Sequence, residues 1–265
     1  MVESGHITVA IRDEVALVTL SRPEKLNALT GAMRTELAAI LRRFGDGDSD
    51  GDGDGDGETS VRGIVLTGAG RAFSAGEDLY EAAQVPAGGM AAEIESFHNM
   101  TRAALAARVP VIAAINGLAV GGACELTLCF DARIGTEAAE LFFPENNLGL
   151  TISNAASLLL PRLAGARAMR LIMDSARITA RDALAFGLLD EITEQAALVG
   201  TAIGTIHRWT RPGAATAEHL RLLRPRPDDI ERAFAAETEA TRSTEQAGIT
   251  QAGIGQFLRG RRRVT

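Results

Sequence analysis

Apolar and polar residues alternate from Ile7 to Ile11 and again from Val15 to Leu20, with Asp13-Glu14 between the runs. A period of two broken by a polar dipeptide predicts a β-hairpin. The period then lengthens. Met33, Leu37, Ile40, Leu41 and Phe44 fall on one side of a helix, and Thr30 stands where a cap for its first turn belongs. After an Asp/Gly run, VRGIVLTG from Val61 reads as a strand, and a glycine-rich turn leads to Gly76-Glu77-Asp78. Helical spacing returns from about Met90 to Ala107. Pro110 precedes the apolar strand VIAAI, and Asn116-Gly117 leads on to Gly121-Gly122, where a helix begins and reaches about Phe130. Asp131 to Gly135 and Glu140 to Phe143 read as strands. Ser153 or Asn154 is placed to cap a helix through Leu163, another helix covers Ala166 to Met173, and Thr179 with Asp182 opens a third as a capping box. Short strands alternating with helices predict an α/β core with crossovers. From about Gln195 onward the strand signal fades and the pattern is mainly helical.

The length of 265 residues suits one large core with a small appendage. The net charge of -7 is local: seven acids lie between Asp46 and Glu58, and without them acids and bases balance. This run resembles the start of a calcium-binding loop, with Asp46, Asp48, Asp50 and Gly51 in place, but its twelfth position is Gly57. Frames moved by two and four residues end on Thr59 and Val61. None supplies the bidentate glutamate such a site needs, so the run reads as a self-repelling surface insertion whose deletion leaves activity nearly intact. Arg261 to Arg263 form the basic cluster and read as an exposed tail, so nucleic-acid binding has no support. Cys124 and Cys129 lack metal-ligand spacing and read as reduced, buried thiols of a cytoplasmic protein. The charged residues near the start argue against a signal peptide, and no stretch is suited to spanning a membrane.

Candidate chemistry lies in two turns and two acids. Ser74-Ala75-Gly76-Glu77-Asp78-Leu79 and Gly121-Gly122-Ala123-Cys124-Glu125 each place glycine between a buried strand and a helix. Such turns leave backbone N–H groups free, and two that converge can hold an oxygen gaining negative charge. Glu125 and Glu145 stand amid apolar sequence, where a carboxylate is expensive unless its pKa rises or it finds a partner. Two readings follow from composition alone. The acids face one bound molecule and divide acid and base work, or one is solvated and the other bridged to an arginine such as Arg133. Signatures of nucleotide loops, zinc proteases and serine nucleophile elbows do not occur, and the scattered His6, His98, His207 and His219 read as surface or packing residues.

Four segments in order resemble the crotonase, or enoyl-CoA hydratase/isomerase, family. They are residues 22–29 (RPEKLNAL), 70–79 (GRAFSAGEDL), 114–126 with Asn116-Gly117 and Gly121-Gly122, and Phe143-Pro144-Glu145 with Leu148-Gly149. A later run, ITARDALAFGLLDEI, adds to them, and the likeness spans about residues 7–195. The resemblance implies an α/β fold: a crotonase-like spiral of repeated ββα units over residues 1–195, interrupted by the insertion at 45–59, with a helical region over 196–265. It implies an acyl-coenzyme A thioester substrate, no separate cofactor, no metal, and a homotrimer or dimer of trimers. The amides of Glu77 and Gly122 become the enolate's oxyanion hole, and Glu125 and Glu145 the acid–base pair. For the side chain of Glu77, the expectation is that it points away from the enolate. Lys25, Leu26, Ala28, Ala75, Asp78, Leu79 and Gly121 join Glu77 and Gly122 in binding the thioester. Two retained glutamates favour hydration of a 2-enoyl thioester. Δ3-Δ2 isomerisation, another thioester lyase or hydrolase reaction, and a non-catalytic acyl-CoA-binding scaffold are the alternatives. Two departures bear on substrate: Leu150 to Leu159 replaces the family's glycine-rich run, reshaping the acyl pocket, and Tyr80 stands in place of a frequent lysine.

Overall fold

The computed structural model of the chain describes residues 2–4, 6–46 and 61–261. Its strands are β1 Val2–Ser4, β2 Ile7–Arg12, β3 Val15–Leu20, β4 Gly63–Gly68, β5 Ala72–Ser74, β6 Val111–Ile115, β7 Leu118–Val120, β8 Ala132–Thr136, β9 Glu140–Phe142, β10 Arg177–Thr179 and β11 Glu191–Thr193. Its helices are α1 Gly31–Gly45, α2 Leu79–Ala82, α3 Met90–Ala106, α4 Gly121–Thr127, α5 Glu145–Leu148, α6 Ala156–Ala164, α7 Arg167–Met173, α8 Ala180–Ala185, α9 Leu198–Trp209, α10 Thr216–Leu223, α11 Pro227–Gln246 and α12 Ile249–Arg261.

The hairpin β2–β3 pairs Ile7 with Leu20 and Arg12 with Val15, and its turn residues Asp13 and Glu14 both take positive φ. That matches the twist a two-residue hairpin turn requires. Thr30 caps α1, its hydroxyl accepting from the Met33 N–H at 3.2 Å. Thr179 caps α8 in the same way.

Two sheets are wound together. The larger has the order β1-β2-β3-β4-β6-β8-β11 and the smaller β10-β9-β7-β5. Each turn of chain lays one strand in the large sheet and the next in the small one: β4 then β5, β6 then β7, β8 then β9. Thus β4, β6 and β8 are parallel neighbours, and so are β5, β7 and β9. This is the repeated ββα spiral. One face of the large sheet, with Ile64, Leu66 and Ile115, joins the main core. The alternate residues Val65, Ile112 and Ile134 meet Leu198, Ala202 and Ile206 of α9. Both faces are covered, which is why these strands read as continuous apolar runs.

Two asparagines fasten the segments that lead into the site. Asn27 is fully buried and donates to the carbonyls of Ala69, Ala72 and Phe73, while Asn116 donates to those of Gly70 and Ala72.

Two local expectations are corrected. Helix α4 is regular only to Thr127, and the chain reaches Phe130 through i→i−3 turns. Helix α6 begins at Ala156 with Ala155, at φ 58°, in the cap position, so neither Ser153 nor Asn154 caps it. Their side chains are engaged elsewhere. The Asp/Gly run from Gly47 and the tail beyond Arg261 lie outside the described residues.

Candidate active site

The adjacent parallel strands β5, β7 and β9 each deliver one functional turn at the C-terminal end, the side of a parallel sheet where ligands collect. After β5 comes Gly76-Glu77, after β7 Gly121-Gly122 at the start of α4, and after β9 Pro144-Glu145 at the start of α5. The turns touch. A Cβ on Gly76 (φ +78°) would lie 2.4 Å from the Val120 carbonyl oxygen, and one on Gly121 (φ +52°) 2.8 Å from Glu145 Oε1. Glycine is required at both for space as well as for conformation.

The amides available there follow from backbone pairing. The Leu29 N–H donates to the Gly76 carbonyl at 2.7 Å and the Asp78 N–H to the Leu29 carbonyl at 3.1 Å, leaving the Glu77 amide between them outside that bridge. Gly122 is in the first turn of α4, where an N–H has no intrahelical partner.

A cavity of about 290 Å³ opens on these turns, and Glu77, Gly121, Gly122, Glu125 and Glu145 all line it. Glu125, carried one turn into α4, is 1% exposed, and Glu145 is 5% exposed. Glu125 Oε2 accepts from the Ser153 N–H at 2.9 Å and from its hydroxyl at 2.6 Å. Its Oε1, and Oε2 of Glu145, are buried without partners among the described residues. Burial pushes the Glu125 carboxyl well above the usual range, the neighbouring Glu145 charge adds to it, and the Ser153 bonds oppose it. Burial likewise raises Glu145 to about 8, against the pull of its own amide and with a contribution from Glu77. Two like charges so placed cannot both ionise easily, so the pair retains a proton at neutral pH. The reading of one solvated and one bridged acid is therefore set aside. Arg133 instead holds Asp190 at 2.8 Å.

Of the other predicted contacts, Ala75 and Leu79 line the cavity, while Lys25, Leu26, Ala28 and Asp78 do not. Asp78 caps α2 and binds Arg22 at 2.6 Å, which holds its carboxyl below the usual range despite its burial. Lys25 is exposed, with Nζ 5.8 Å from the centre of the Tyr80 ring. Glu77 lines the same cavity as the two acids, and its carboxylate stands beside Arg34, with Oε1 3.9 Å from Nη1.

Sequence reasoning missed the roles of five residues. Ser153 orients Glu125, and Asn154 ties the same loop to the Gly122 carbonyl at 3.0 Å. Arg34 and Glu93 stand beside Glu77 and are ion-paired to each other. Glu237 accepts from the N–H groups of Ala155 and Ser157 and from the Ser157 hydroxyl. A signal existed for two of these. Arg34 shares a buried stripe with Ala38 and Leu41, and Glu237 one with Ile230, Phe234 and Thr241.

The enoyl-CoA hydratase/isomerase family model matches residues 10–263, and the chain belongs to that family. It is 31% identical to the short-chain-enoyl-CoA hydratase of Clostridium acetobutylicum, over 90% of this chain and 88% of that one. It is 33% identical to the 1,2-epoxyphenylacetyl-CoA isomerase of Escherichia coli, over 71% of this chain and 70% of the relative. An enoyl-CoA hydratase structure from Bacillus halodurans superposes with a TM-score of 0.83 at 22% identity, covering 95% of this chain and 100% of that one, a likeness of fold.

Proposed function

We propose that this protein is an enoyl-CoA hydratase, adding water syn across the 2,3 double bond of a 2-enoyl-CoA thioester. One observation carries the reading: two buried glutamates, each with a carboxylate oxygen free of partners, line one cavity beside the turns of Glu77 and Gly122. The thioester oxygen sits between those two amides. Ser153's two hydrogen bonds favour charge on Glu125, so Glu125 is the base and Glu145 holds the proton. A water between them gives a proton to Glu125 as its oxygen bonds to the β-carbon. The π-electron pair moves toward the thioester oxygen, and the enolate then takes the Glu145 proton at the α-carbon. One water is consumed, and the product is a 3-hydroxyacyl thioester. Losing one oxyanion donor costs about 3–4 kcal/mol of barrier.

Coenzyme A arrives as part of the substrate, so no separate cofactor is needed. Assembly as a homotrimer or dimer of trimers and a cytoplasmic location belong to the same proposal. In support of the latter, Cys124 and Cys129 are buried free thiols, and no helix of the described residues is long and apolar enough to cross a membrane. The family's description as enoyl-CoA hydratase/isomerase makes Δ3-Δ2 isomerisation the second reading.

The test follows the conjugated-thioester absorbance of crotonyl-CoA and of longer and aromatic enoyl-CoA esters. Loss of the band with wild type, and a drop of about 10²–10⁴-fold in Glu125→Gln and Glu145→Gln, supports hydration. Gain of the band from a 3-enoyl thioester marks an isomerase. Tight coenzyme A binding without turnover marks a scaffold.

A further inference from the structure

The cavity holds a third carboxyl that hydration does not use. Glu77 lines the cavity and is assigned a role through its amide, yet its carboxyl is also 13% exposed and its charge acts on Glu145. No hydrogen bond reaches that carboxyl among the described residues. Its ion-pair partner, Arg34 Nη1, stands at 3.9 Å, beyond hydrogen-bonding distance.

Arg34 is already committed. It is 1% exposed, its Nη2 binds Glu93, its Nη1 donates to the Leu29 carbonyl at 3.2 Å, and its guanidinium lies 4.6 Å from the centre of the Phe97 ring. Glu93 lines the cavity too. One guanidinium thus serves two carboxyls and satisfies one. Burial raises Glu77 to about 7, against the pull of Arg34 and with help from the charges of Glu93, Glu81 and Asp78. The surrounding wall is apolar, with Leu79, Ile94 and Phe97. A plain alkyl chain laid along it would strip water from Glu77 and give nothing back. An acyl group ending in a carboxylate would meet Glu77 and Glu93 with a single cation between them.

A hydroxyl fits either state of this carboxyl, donating to the carboxylate and accepting from the acid. We propose that the Glu77 side chain, set beside the Arg34–Glu93 pair, is a specificity group for acyl chains bearing a hydroxyl, so that hydroxylated 2-enoyl thioesters are preferred over alkyl ones. This rests on the thioester reading above.

The experiment measures kcat/KM of the full-length protein for straight-chain 2-enoyl-CoA esters of six to eight carbons. Each is compared with counterparts carrying one hydroxyl at carbon 4, 5 or 6, and with an ω-carboxyl analogue. Calorimetry with the saturated acyl-CoA and its hydroxylated forms reads binding without turnover. Wild type should prefer at least one hydroxylated ester by about tenfold or more and disfavour the ω-carboxyl analogue. Glu77→Leu should invert the preference toward alkyl esters. Glu77→Gln, which keeps shape and hydrogen-bonding capacity, should retain part of it and guards against misfolding as the explanation. Equal kcat/KM for alkyl and hydroxylated esters, or a preference that survives Glu77→Leu, overturns the inference while leaving the thioester reading intact. Absence of both binding and turnover for every thioester overturns the two together.

Discussion

Glu145 is held where its charge is disfavoured, and this has consequences for both activity and stability. With its proton lost near pH 8, kcat for hydration should fall as pH rises through about 8. For stability, a carboxyl raised from 4.5 to about 8 binds more protons folded than unfolded between those values. The folded state therefore loses stability as pH rises across that window. Glu145→Gln removes the ionisation. Melting temperatures measured at pH 5 and pH 8 should show the variant gaining on wild type at the higher pH, although it is nearly inactive. At Gly122 the constraint is steric. A Cβ would sit 2.5 Å from Phe97 Cε1, so Gly122→Ala must displace the ring or the amide. We expect kcat/KM for crotonyl-CoA to fall by about 10²–10³-fold, as for a lost oxyanion donor, with KM changing less than kcat.

Helix α6 shows how one element depends on another. Its cap residue, Ala155, has no side-chain acceptor, and Glu237 of α11 supplies one, accepting from the N–H of Ala155 at 3.0 Å and of Ser157 at 2.9 Å. The carboxylate is 3% exposed and also meets His98 Nε2 at 3.2 Å, whose ring stacks on Phe234. Ser153 lies just before this cap and holds Glu125. Replacing Glu237 with Leu leaves buried N–H groups unpaired and should lower stability by about 2 kcal/mol in urea unfolding. Glu237→Gln, which still accepts, should lose less. The helices predicted at α1 and α8 carry their own caps in Thr30 and Thr179, and these were legible because the cap and its N–H lie three residues apart. The cap of α6 was not, because its donor and acceptor are separated by 80 residues or more.

Across the whole molecule, the C-terminal helices complete the cavity. Thr241 and Thr244 of α11 and Thr250 and Phe257 of α12 line it. Helix α12 also buttresses the end of α5. The Thr250 hydroxyl donates to the Gly149 carbonyl at 3.1 Å, and a Cβ on Gly253 would fall 1.8 Å from the Leu148 carbonyl oxygen. Ending the chain after Gly248 should raise KM for every thioester and lower kcat, since the support behind Glu145 goes with it. A protein that kept wild-type kcat after this truncation would show that α5 holds its position unaided.

The strands β2, β3, β4, β6, β8 and β9, the main helices and the glycine turns of Gly76 and Gly121 were readable along the chain, because burial imposes a period and a tight turn imposes glycine; the three-residue strands β1, β5, β7, β10 and β11 were not. Glu125 and Glu145 were visible too, as charges where the pattern called for apolar residues. Partnership was decided only in three dimensions: Ser153 with Glu125, Arg34 with Glu93 and Glu77, and Glu237 with the start of α6. A periodic pattern states which face of an element leaves water. Which group waits on the other side depends on how distant segments are stacked, and there the spiral of strands sets the answer.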